Sequence, residues 1–392
     1  MSEWKEYKFS ELLEDESISY GIVQPGTHTD KNSVPIIRVN NIKNGVILTD
    51  DVLKVSKEIE KKYLRTRLIG GELLITVVGS VGDCAIVPDD LKGWNVARAV
   101  SVARIKNSFN KQFIKYCFQS EDVKYQLYGN TNDTVQPTLN LGSLKEIKFS
   151  LPPLPEQTAI ASVLSSLDDK IDLLHRQNKT LEQLAETIFR QWFVEEAEES
   201  WEEKELENYI WFDPKEKIER SKQYRFFEMK CLSNVDMNIS EGIGRVVSSG
   251  SCFRIFDTLL AKITPCLENG KTGFVIHLRE NEIARGSTEF IVMRSKGIVS
   301  PYWVYCLARD NDFRDKAILS MTGTSGRQRV QIDLLKSIKV KVEESRMNEF
   351  HKTVFPLFTK IKSNQIQIKT LTQLRDSLLP KLMSGEVRVR MD

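Results

Sequence analysis

The chain has 392 residues, of which 41% are hydrophobic and 28% are charged. This is enough for two or three domains with cores of their own, and it excludes a disordered or collagen-like protein. The 56 Lys and Arg side chains nearly balance 54 Asp and Glu, which leaves a net charge of +2, so binding a polyanion would require local clusters of charge. No apolar run approaches the roughly 20 residues that cross a bilayer, and the start of the chain is too polar for a signal peptide. We therefore expect a cytoplasmic protein without a membrane partner.

Few residues stand in the patterns that catalysis or metal binding requires. The six cysteines form no CxxC pair and the four histidines form no HExxH motif, so we expect no metal site. Gly270, Lys271 and Thr272 copy the end of a phosphate-binding loop, but Pro265 replaces the first glycine, whose N–H and backbone freedom such a loop needs. The sequence therefore predicts a binding protein with no cofactor of its own, rather than an enzyme.

The predicted elements follow the same order twice along the chain. The first mixed region holds β-branched and aromatic runs at 34–39, 73–78 and 100–105. A helical pattern at 111–128 and a long helix follow it. After the acidic segment 195–207, which we interpret as a linker, a second mixed region carries a helical pattern at 301–319 and also leads into a long helix. We expect an α+β fold with two tandem domains.

Short sequence echoes at a constant spacing indicate an internal duplication. Residues 113–118 are matched by 302–307, residues 144–149 by 335–340, and the segment that begins at Lys179 by one that begins at Lys369. The offset stays at about 190 residues throughout. Coincidence among common residues is the alternative, but echoes in the same order favour a chain built from two copies of one unit.

Each long helix carries an apolar stripe with the alternating four- and three-residue spacing of a coiled coil. The first stripe is Ile160, Leu164, Leu167, Ile171, Leu174, Asn178, Leu181, Ala185, Ile188 and Trp192, and the second is Phe350, Val354, Leu357, Ile361, Asn364, Ile368, Leu371, Arg375, Leu378 and Leu382. We expect the helices to pair antiparallel, with Asn178 opposite Asn364 so that each amide satisfies the other. A lone buried amide would cost roughly 1–3 kcal/mol. A parallel pairing would put both asparagines out of register.

Residues 151–157 read Leu-Pro-Pro-Leu-Pro-Glu-Gln, and residues 189–193 read Phe-Arg-Gln-Trp-Phe. With the first stripe between them, they resemble the central conserved region of the specificity subunits of type I restriction-modification systems, and the whole chain fits that family. Residues 323–329 are similar to a DNA-facing loop of the family. Two departures exist: 342–347 replace the proline-rich signature in the second half, and the corresponding loop of the first half, 129–137, contains no arginine.

The resemblance implies two target-recognition domains, at 1–150 and 196–345, each followed by a conserved spacer helix, at 151–195 and 346–392. Such a subunit reads a bipartite site in double-stranded DNA, one half-site per domain, and has no catalytic activity itself. The implied partners are two modification subunits that methylate adenine with S-adenosylmethionine, and restriction subunits that translocate DNA with ATP and Mg. The paired helices, about 50 Å long, would set the gap between the half-sites. The alternative is a non-catalytic coiled-coil scaffold with two peptide- or protein-binding domains.

Candidate DNA contacts are Arg, Asn and Gln side chains in loops, because these make bidentate hydrogen bonds to the edges of guanine and adenine. In the second half they are Arg327, Gln328 and Arg329, with Thr324 and Ser325 as phosphate contacts, and in the first half Asn130, Thr131, Asn132, Thr134 and Gln136. Further candidates for phosphate contacts are Lys61, Lys62, Arg65, Arg67, Arg98, Lys262, Lys271 and Arg285. The alternative for each is an ordinary solvated surface residue.

Four apolar residues crowd the end of the first long helix: Ile188, Phe189, Trp192 and Phe193. We regard them as candidates for a contact with a modification subunit, because recognition subunits of this kind expose apolar helix ends that a partner covers. The alternative is that these side chains close the core of the neighbouring domain.

Overall fold

A computed structural model describes residues 4–26, 33–131, 137–219, 221–246, 249–324 and 326–390. The chain divides into two compact units, one formed by Met1–Lys170 with Thr370–Asp392 and the other by Ile171–Lys369. Each unit holds one α+β domain and a stretch of both long helices. No helix in the described ranges is both long enough and apolar enough to cross a membrane.

The helices alternate with strands in both domains. In the described part of the chain they are α1 (Phe9–Leu12), α2 (Lys57–Glu60), α3 (Lys111–Cys117), α4 (Glu121–Gly129), α5 (Leu141–Glu146), α6 (Leu154–Arg190), α7 (Pro301–Arg309), α8 (Asn311–Leu319), α9 (Ile332–Lys336) and α10 (Glu344–Met383). The single helices expected at 111–128 and 301–319 are each two helices. Ser120 accepts a hydrogen bond from the Val123 N–H, and Asp310 accepts one from the Phe313 N–H. Each residue therefore caps a new helix in the middle of the helical pattern.

The domain of the first unit is built on a four-stranded antiparallel sheet. The strands of the whole domain are β1 (Lys5–Lys8), β2 (Leu13–Tyr20), β3 (Val34–Ile37), β4 (Ile42–Lys43), β5 (Val46–Ile47), β6 (Leu53–Val55), β7 (Leu73–Thr76), β8 (Cys84–Ile86), β9 (Asn95–Val96), β10 (Val100–Ile105) and β11 (Lys148–Leu151). The main sheet has the order β2-β10-β7-β8, and a second sheet has the order β6-β3-β9. All four residues of β7 are buried, which explains why the sequence of this strand is apolar rather than alternating.

The domain of the second unit repeats this topology. Its strands are β12 (Glu203–Glu205), β13 (Ile210–Phe212), β14 (Tyr224–Phe227), β15 (Ile243–Arg245), β16 (Ser251–Phe253), β17 (Thr258–Ala261), β18 (Thr272–Phe274), β19 (Ala284–Gly286), β20 (Phe290–Ser295) and β21 (Lys339–Lys341). The main sheet, β13-β20-β17-β18, corresponds strand by strand to β2-β10-β7-β8. The parallel pair β14 and β19 corresponds to β3 and β9. The predicted fold class, with two tandem domains of duplicated topology, is confirmed.

The two long helices begin with different devices. At the start of α6, the Gln157 amide donates to the Pro152 carbonyl at 2.8 Å and accepts from the Asn110 N–H at 2.9 Å. At the start of α10, where that signature is missing, the Glu343 carboxylate accepts from the N–H groups of Ser345 and Arg346 at 2.9 and 2.7 Å. A carboxylate that accepts from the first N–H groups of a helix is a standard cap.

Within each unit the long helices run antiparallel in the predicted register. In the second unit the Asn364 Nδ2 donates to the Asn178 Oδ1 at 2.8 Å, and the rings of Trp192 and Phe350 lie 6.3 Å apart. In the first unit Ile160 and Leu382 belong to one buried cluster. Asn364 is fully buried, and its Nδ2 donates both to the Asn178 Oδ1 and to the Gln177 Oε1, the latter at 2.9 Å, so the buried donor is satisfied. The Asn364 Oδ1 has no hydrogen-bond partner among the described residues, so the two amides do not satisfy each other reciprocally as expected.

Candidate nucleic-acid interface

In the first unit, three segments that are distant in sequence meet where the central strand β7 of the main sheet ends and its neighbour β10 begins. We call this end of the central strands the edge of the main sheet in both units. The chain after β7 accepts a hydrogen bond at the Val77 carbonyl from the Leu139 N–H, and the Val77 N–H donates to the Ala99 carbonyl, both at 2.9 Å. The Gly79 N–H donates to the Pro137 carbonyl at 2.9 Å. The loop after β7, the chain before β10 and the end of the loop that follows α4 are therefore held together by backbone hydrogen bonds.

The second unit forms the same edge with the corresponding segments. Lys262, which follows β17, donates its N–H to the Glu289 carbonyl at 2.8 Å and accepts at its carbonyl from the Val330 N–H at 3.0 Å. The Thr264 N–H donates to the Gln328 carbonyl at 3.1 Å, and the Gln328 N–H donates to the Thr264 hydroxyl at 3.2 Å. The structure thus brings together Lys262 and the loop 322–330, which the sequence predicted separately.

In the loop 322–330, the described residues on either side of position 325 are joined by backbone hydrogen bonds. Thr322 and Arg329 exchange N–H to carbonyl hydrogen bonds at 3.0 and 2.9 Å. Gly323 and Gly326 have φ angles of +128° and +77°, a region that residues with a Cβ rarely adopt. Arg327 and Thr324 are exposed, and Gln328 is half-buried. Because the N–H and the carbonyl of Gln328 both hydrogen-bond Thr264, the backbone of Gln328 is fixed at this edge.

Arg329, in this loop, already has a partner. Its guanidinium donates to both carboxylate oxygens of Glu289, at 3.0 and 2.7 Å, and this hydrogen bonding lowers the pKa of Glu289. The positive charge of Arg329 is therefore largely compensated. A bond from Arg329 to DNA would have to replace or share the contact with Glu289. Sequence reasoning missed Glu289, because the two residues are 40 positions apart.

Two of the predicted cations of the second unit serve the fold. The Lys271 Nζ donates to the carbonyls of Met229 and Leu232 at 3.0 and 3.2 Å. Arg285 is 3% exposed and donates to the Gly250 carbonyl at 3.3 Å. Backbone carbonyls thus occupy donors that a phosphate would need, and neither side chain is presented to a ligand as the sequence suggested.

The basic residues at 61–67 of the first unit include both exposed side chains and one that stabilises the fold. Lys61, Lys62 and Arg65 are exposed on the 3-10 turn Lys61–Thr66. Arg67 instead pairs with the buried carboxylate of Glu60, and this pairing lowers the pKa of Glu60. Arg98 is exposed on the edge formed by the chain before β10. The turn and that edge therefore carry accessible positive charge, whereas Arg67 stabilises the turn.

The loop after α4 is described only in part. The Asn130 Nδ2 donates to the Gln126 carbonyl and the Thr131 hydroxyl to the Tyr128 carbonyl, each at 2.8 Å, so both side chains hydrogen-bond the carboxyl end of α4. Asn132, Thr134, Gln136 and Ser325 lie outside the described residues. Tyr125 and Tyr128, which the sequence did not single out, are 81% and 63% exposed beside this loop. Two tyrosines shortly before a polar loop are the sequence signal that could have identified them as further candidates.

The apolar residues at the end of α6 and in the π-helical turn Gln191–Glu195 that continues it pack into the second unit. Phe189 and Phe193 are 3% and 8% exposed and belong to the large buried cluster of that unit, whereas Ile188 and Trp192 are half-buried. The Arg346 guanidinium lies 4.0 Å from the centre of the Trp192 ring. Phe189 and Phe193 therefore help to close the domain core, and only Ile188 and Trp192 keep surface that a partner could contact.

Each domain is anchored to α6 by a tyrosine on the helix that follows its main sheet. In the first unit the Tyr116 hydroxyl donates to the Asp168 carboxylate at 2.7 Å. In the second unit Tyr305 donates to Glu182, whose other oxygen accepts from the Met237 N–H at 3.1 Å. Burial raises the pKa of Glu182 to about 7. These polar anchors connect residues at least 52 positions apart, so the sequence alone did not predict them.

No group of three or more His, Cys, Asp or Glu side chains that could hold a metal ion occurs among the residues for which the structure gives positions. Among the residues that the structure describes, the candidate surface presents amides, hydroxyls, tyrosines and positive charges. These groups bind nucleic acids through base edges and phosphates.

Comparison with known proteins gives consistent results. Residues 1–183 match the family model described as "Type I restriction modification DNA specificity domain". The MjaIX specificity subunit of Methanocaldococcus jannaschii is 25% identical over 351 residues, 81% of this chain and 78% of the relative. The EcoBI specificity subunit of Escherichia coli is 30% identical over 179 residues, 45% of this chain and 37% of the relative. The crystal structure of an S subunit from M. genitalium has the same fold, with a TM-score of 0.58 and 16% identity over 100% of this chain and 97% of that one.

Proposed function

Because residues 1–183 match the model of the type I restriction-modification DNA specificity domain and the chain is similar to a specificity subunit over 81% of its length, we propose that its two domains each read one half of a bipartite DNA target. The observation that carries the proposal is the repeated edge of the main sheet. The same three segments meet there in both units, but their side chains differ. Two equivalent edges with different side chains suit two half-sites of different sequence.

Within the second domain, we assign base reading to Arg327 and Gln328, with Lys262 and Thr324 as phosphate contacts. Within the first domain, the corresponding residues are Asn130 and Thr131, with Arg98, Lys61, Lys62 and Arg65 as phosphate contacts. Asn130 and Thr131 each donate to a carbonyl of α4, so they would read bases with the Asn130 Oδ1 and the Thr131 hydroxyl oxygen as acceptors. Arg67, Lys271 and Arg285 are left out because carboxylates or carbonyls occupy their donors. Arg329 has a positioning role through Glu289.

The domain limits and partners follow the family pattern. Residues 1–150 and 196–345 form the recognition domains, and 151–195 and 346–392 form the spacer helices. The chain itself is not an enzyme and binds no cofactor. Two modification subunits supply methylation with S-adenosylmethionine, one of them touching Ile188 and Trp192, and restriction subunits supply ATP- and Mg-dependent translocation. The complex acts in the cytoplasm, where its DNA target lies.

The decisive experiment maps methylated adenines across the genome of a host that expresses this chain with its modification subunit. The expected result is one motif with two specified halves and an unspecified gap. A chain with Arg327→Ala and Gln328→Ala should relax one half of the motif and leave the other half unchanged, because only the second domain carries these residues.

The matched control is Arg279→Ala, which removes an exposed arginine of the same domain outside the loop 322–330 and should leave the motif unchanged. Relaxation of both halves by the loop variant would contradict the assignment of one half-site to each domain. Absence of any methylation motif, together with DNA retention that does not weaken as salt rises, would favour the scaffold alternative, because phosphate contacts are strongly salt-dependent.

A further inference from the structure

The apolar seams of α6 and α10 coincide position by position under the internal duplication. An offset of about 190 residues, which relates the two domains, also carries every seam residue of α6, from Ile160 to Trp192, onto a seam residue of α10, from Phe350 to Leu382. The helices of a duplicated chain that pair antiparallel could therefore also pair with copies of themselves. The spacing of the seams alone does not distinguish a mixed pair, in which α6 packs against α10, from a pair of two copies of the same helix.

The polar residues of the seams break this equivalence. Under the same offset, Asn178 of α6 corresponds to Ile368 of α10, and Asn364 of α10 corresponds to Leu174 of α6. In the register of the structure, Asn178 faces Asn364 at 2.8 Å, and the next layer toward the amino end of α6 places Leu174 opposite Ile368. The mixed pair thus consists of one layer of two amides beside one layer of two aliphatic side chains.

If either helix paired with a copy of itself, each layer would contain one amide opposite one aliphatic side chain. If α6 paired with a second copy of itself in the equivalent register, each Asn178 would face Leu174 of the other copy. If α10 paired with itself, each Asn364 would face Ile368. Asn364 is 0% exposed and Leu174 is 3% exposed, whereas Asn178 and Ile368 are half-buried. Each layer therefore contains one buried position, where an amide without a partner is unfavourable.

A second polar pair in the other unit favours the same choice. Arg375 occupies a seam position of α10, and its guanidinium donates to the Asp168 carboxylate of α6 at 3.0 Å. Both side chains are 24% exposed. In a self-paired α10, Arg375 would face Leu357 and would keep only its contact with the neighbouring Asp376, at 2.8 Å, because no copy of Asp168 would be present. The ion pair therefore exists only when α6 meets α10.

We propose that the Asn178–Asn364 layer and the Asp168–Arg375 pair make the two spacer helices select each other over a second copy of themselves. Each molecule then keeps one domain of each kind, even if the connection between its halves is cut. The value of this selection for reading an asymmetric DNA site rests on the proposed function, but the selection itself is measured without DNA.

The first test rebuilds the layers of a self-paired α6 inside the intact chain. The double variant Leu174→Asn with Asn178→Leu places an asparagine opposite Ile368 and a leucine opposite Asn364. Its equilibrium constant for unfolding should rise about tenfold or more. Adding Asn364→Ile and Ile368→Asn restores one amide layer and one aliphatic layer, and should recover most of the stability. Unchanged stability of the double variant, or no recovery in the fourfold variant, would overturn the proposal.

The second test measures the pairing directly. A protease site is inserted between Glu198 and Glu199, which are exposed, and the folded full-length protein is cleaved there. Two preparations of different isotopic mass are mixed, allowed to exchange, and weighed by native mass spectrometry. The cleaved protein should contain only complexes of one first fragment with one second fragment.

The polar positions account for this selection if their removal abolishes it. Cleaved protein with Asn178→Leu, Asn364→Ile and Arg375→Ala should also form pairs of identical fragments. A control with Gln367→Leu, on the exposed face of α10, should behave like the parent protein. Identical-fragment pairs in the parent, or their absence in the triple variant, would overturn the proposal, whereas neither result depends on whether the protein reads DNA.

Discussion

Replacing Glu182 by glutamine is expected to stabilise the protein at neutral and alkaline pH and to leave its stability unchanged in acid. Glu182 is 4% exposed, and its oxygens face the Tyr305 hydroxyl and the Met237 N–H. The nearby Arg309 pairs with Glu186 at 3.3 Å and with two backbone carbonyls, so it does not lose its partner in the Glu182→Gln variant. The amide of the variant can accept from the Met237 N–H through its Oε1 and donate to the Tyr305 oxygen through its Nε2, so the Tyr305 hydroxyl, which donates to Glu182 in the parent protein, becomes an acceptor.

The magnitude follows from the pKa of Glu182. Burial raises this pKa from 4.5 to about 7, so the folded protein holds a proton that the unfolded chain releases at lower pH. The free energy of unfolding therefore falls as pH rises from 4.5 to about 7, and the loss is complete above that range. The full shift corresponds to about 3 kcal/mol. The Glu182→Gln variant cannot ionise and keeps that stability.

Urea unfolding at pH 4.5, 6 and 8 measures the effect as the difference between the variant and the parent protein. That difference should be near zero at the lowest pH and should reach a few kcal/mol at the highest. The control is Glu199→Gln, at an exposed carboxylate, which should show no pH-dependent difference. A Glu182→Gln variant that is less stable than the parent by the same amount at every pH would refute the reasoning, because a difference independent of pH would mean that folding does not shift the pKa of Glu182.

Three further predictions concern the core, the DNA surface and the spacer helices. Asp257, 1% exposed, accepts two hydrogen bonds of 2.7 Å from Arg294, so Asp257→Asn should lower the free energy of unfolding by about 3 kcal/mol in urea titrations, and a loss within experimental error would contradict the pairing. Glu289→Gln should free Arg329 to bind a phosphate. In anisotropy titrations, the slope of the logarithm of the DNA-binding constant against the logarithm of salt concentration should then become steeper by about one unit. An unchanged slope would show that Arg329 does not contact DNA. Deleting the central heptads 172–178 and 364–370 together should shorten the gap of the methylated motif by about three base pairs, and an unchanged gap would exclude the helices as the ruler.

Much of the fold follows from patterns that one sequence contains. The seam of α6 and α10 was predictable because coiled-coil packing depends on residues three and four positions apart, and the Asn178–Asn364 register because a buried amide needs a partner. The duplicated topology was predictable from echoes at a constant offset. The division of the pattern at 111–128 into two helices was missed, because Ser120 works as a cap only through its hydrogen bond to Val123, and such a residue is also tolerated within a helix.

The candidate site was predictable by residue type but not by residue. Loops rich in Arg, Gln, Asn and Thr indicated where DNA contacts belong, and Arg327 and Arg98 are indeed exposed at the sheet edges. The sequence did not distinguish them from Lys271, which directly precedes β18, or Arg285, which lies within β19, because all four carry the same charge. Only the fold assigns these two to the carbonyls of Met229, Leu232 and Gly250.

The sequence by itself therefore determined the duplication and the pairing of the two long helices, which depend on periodicity and repetition along the chain. The class of ligand came from the resemblance to a known family. The tertiary structure decided which cations remain accessible, which tyrosines anchor the domains to α6, and which apolar helix residues are buried. A side chain is accessible only if no acceptor from a distant segment comes within hydrogen-bonding distance, and that depends on how the segments pack rather than on the identity of the side chain.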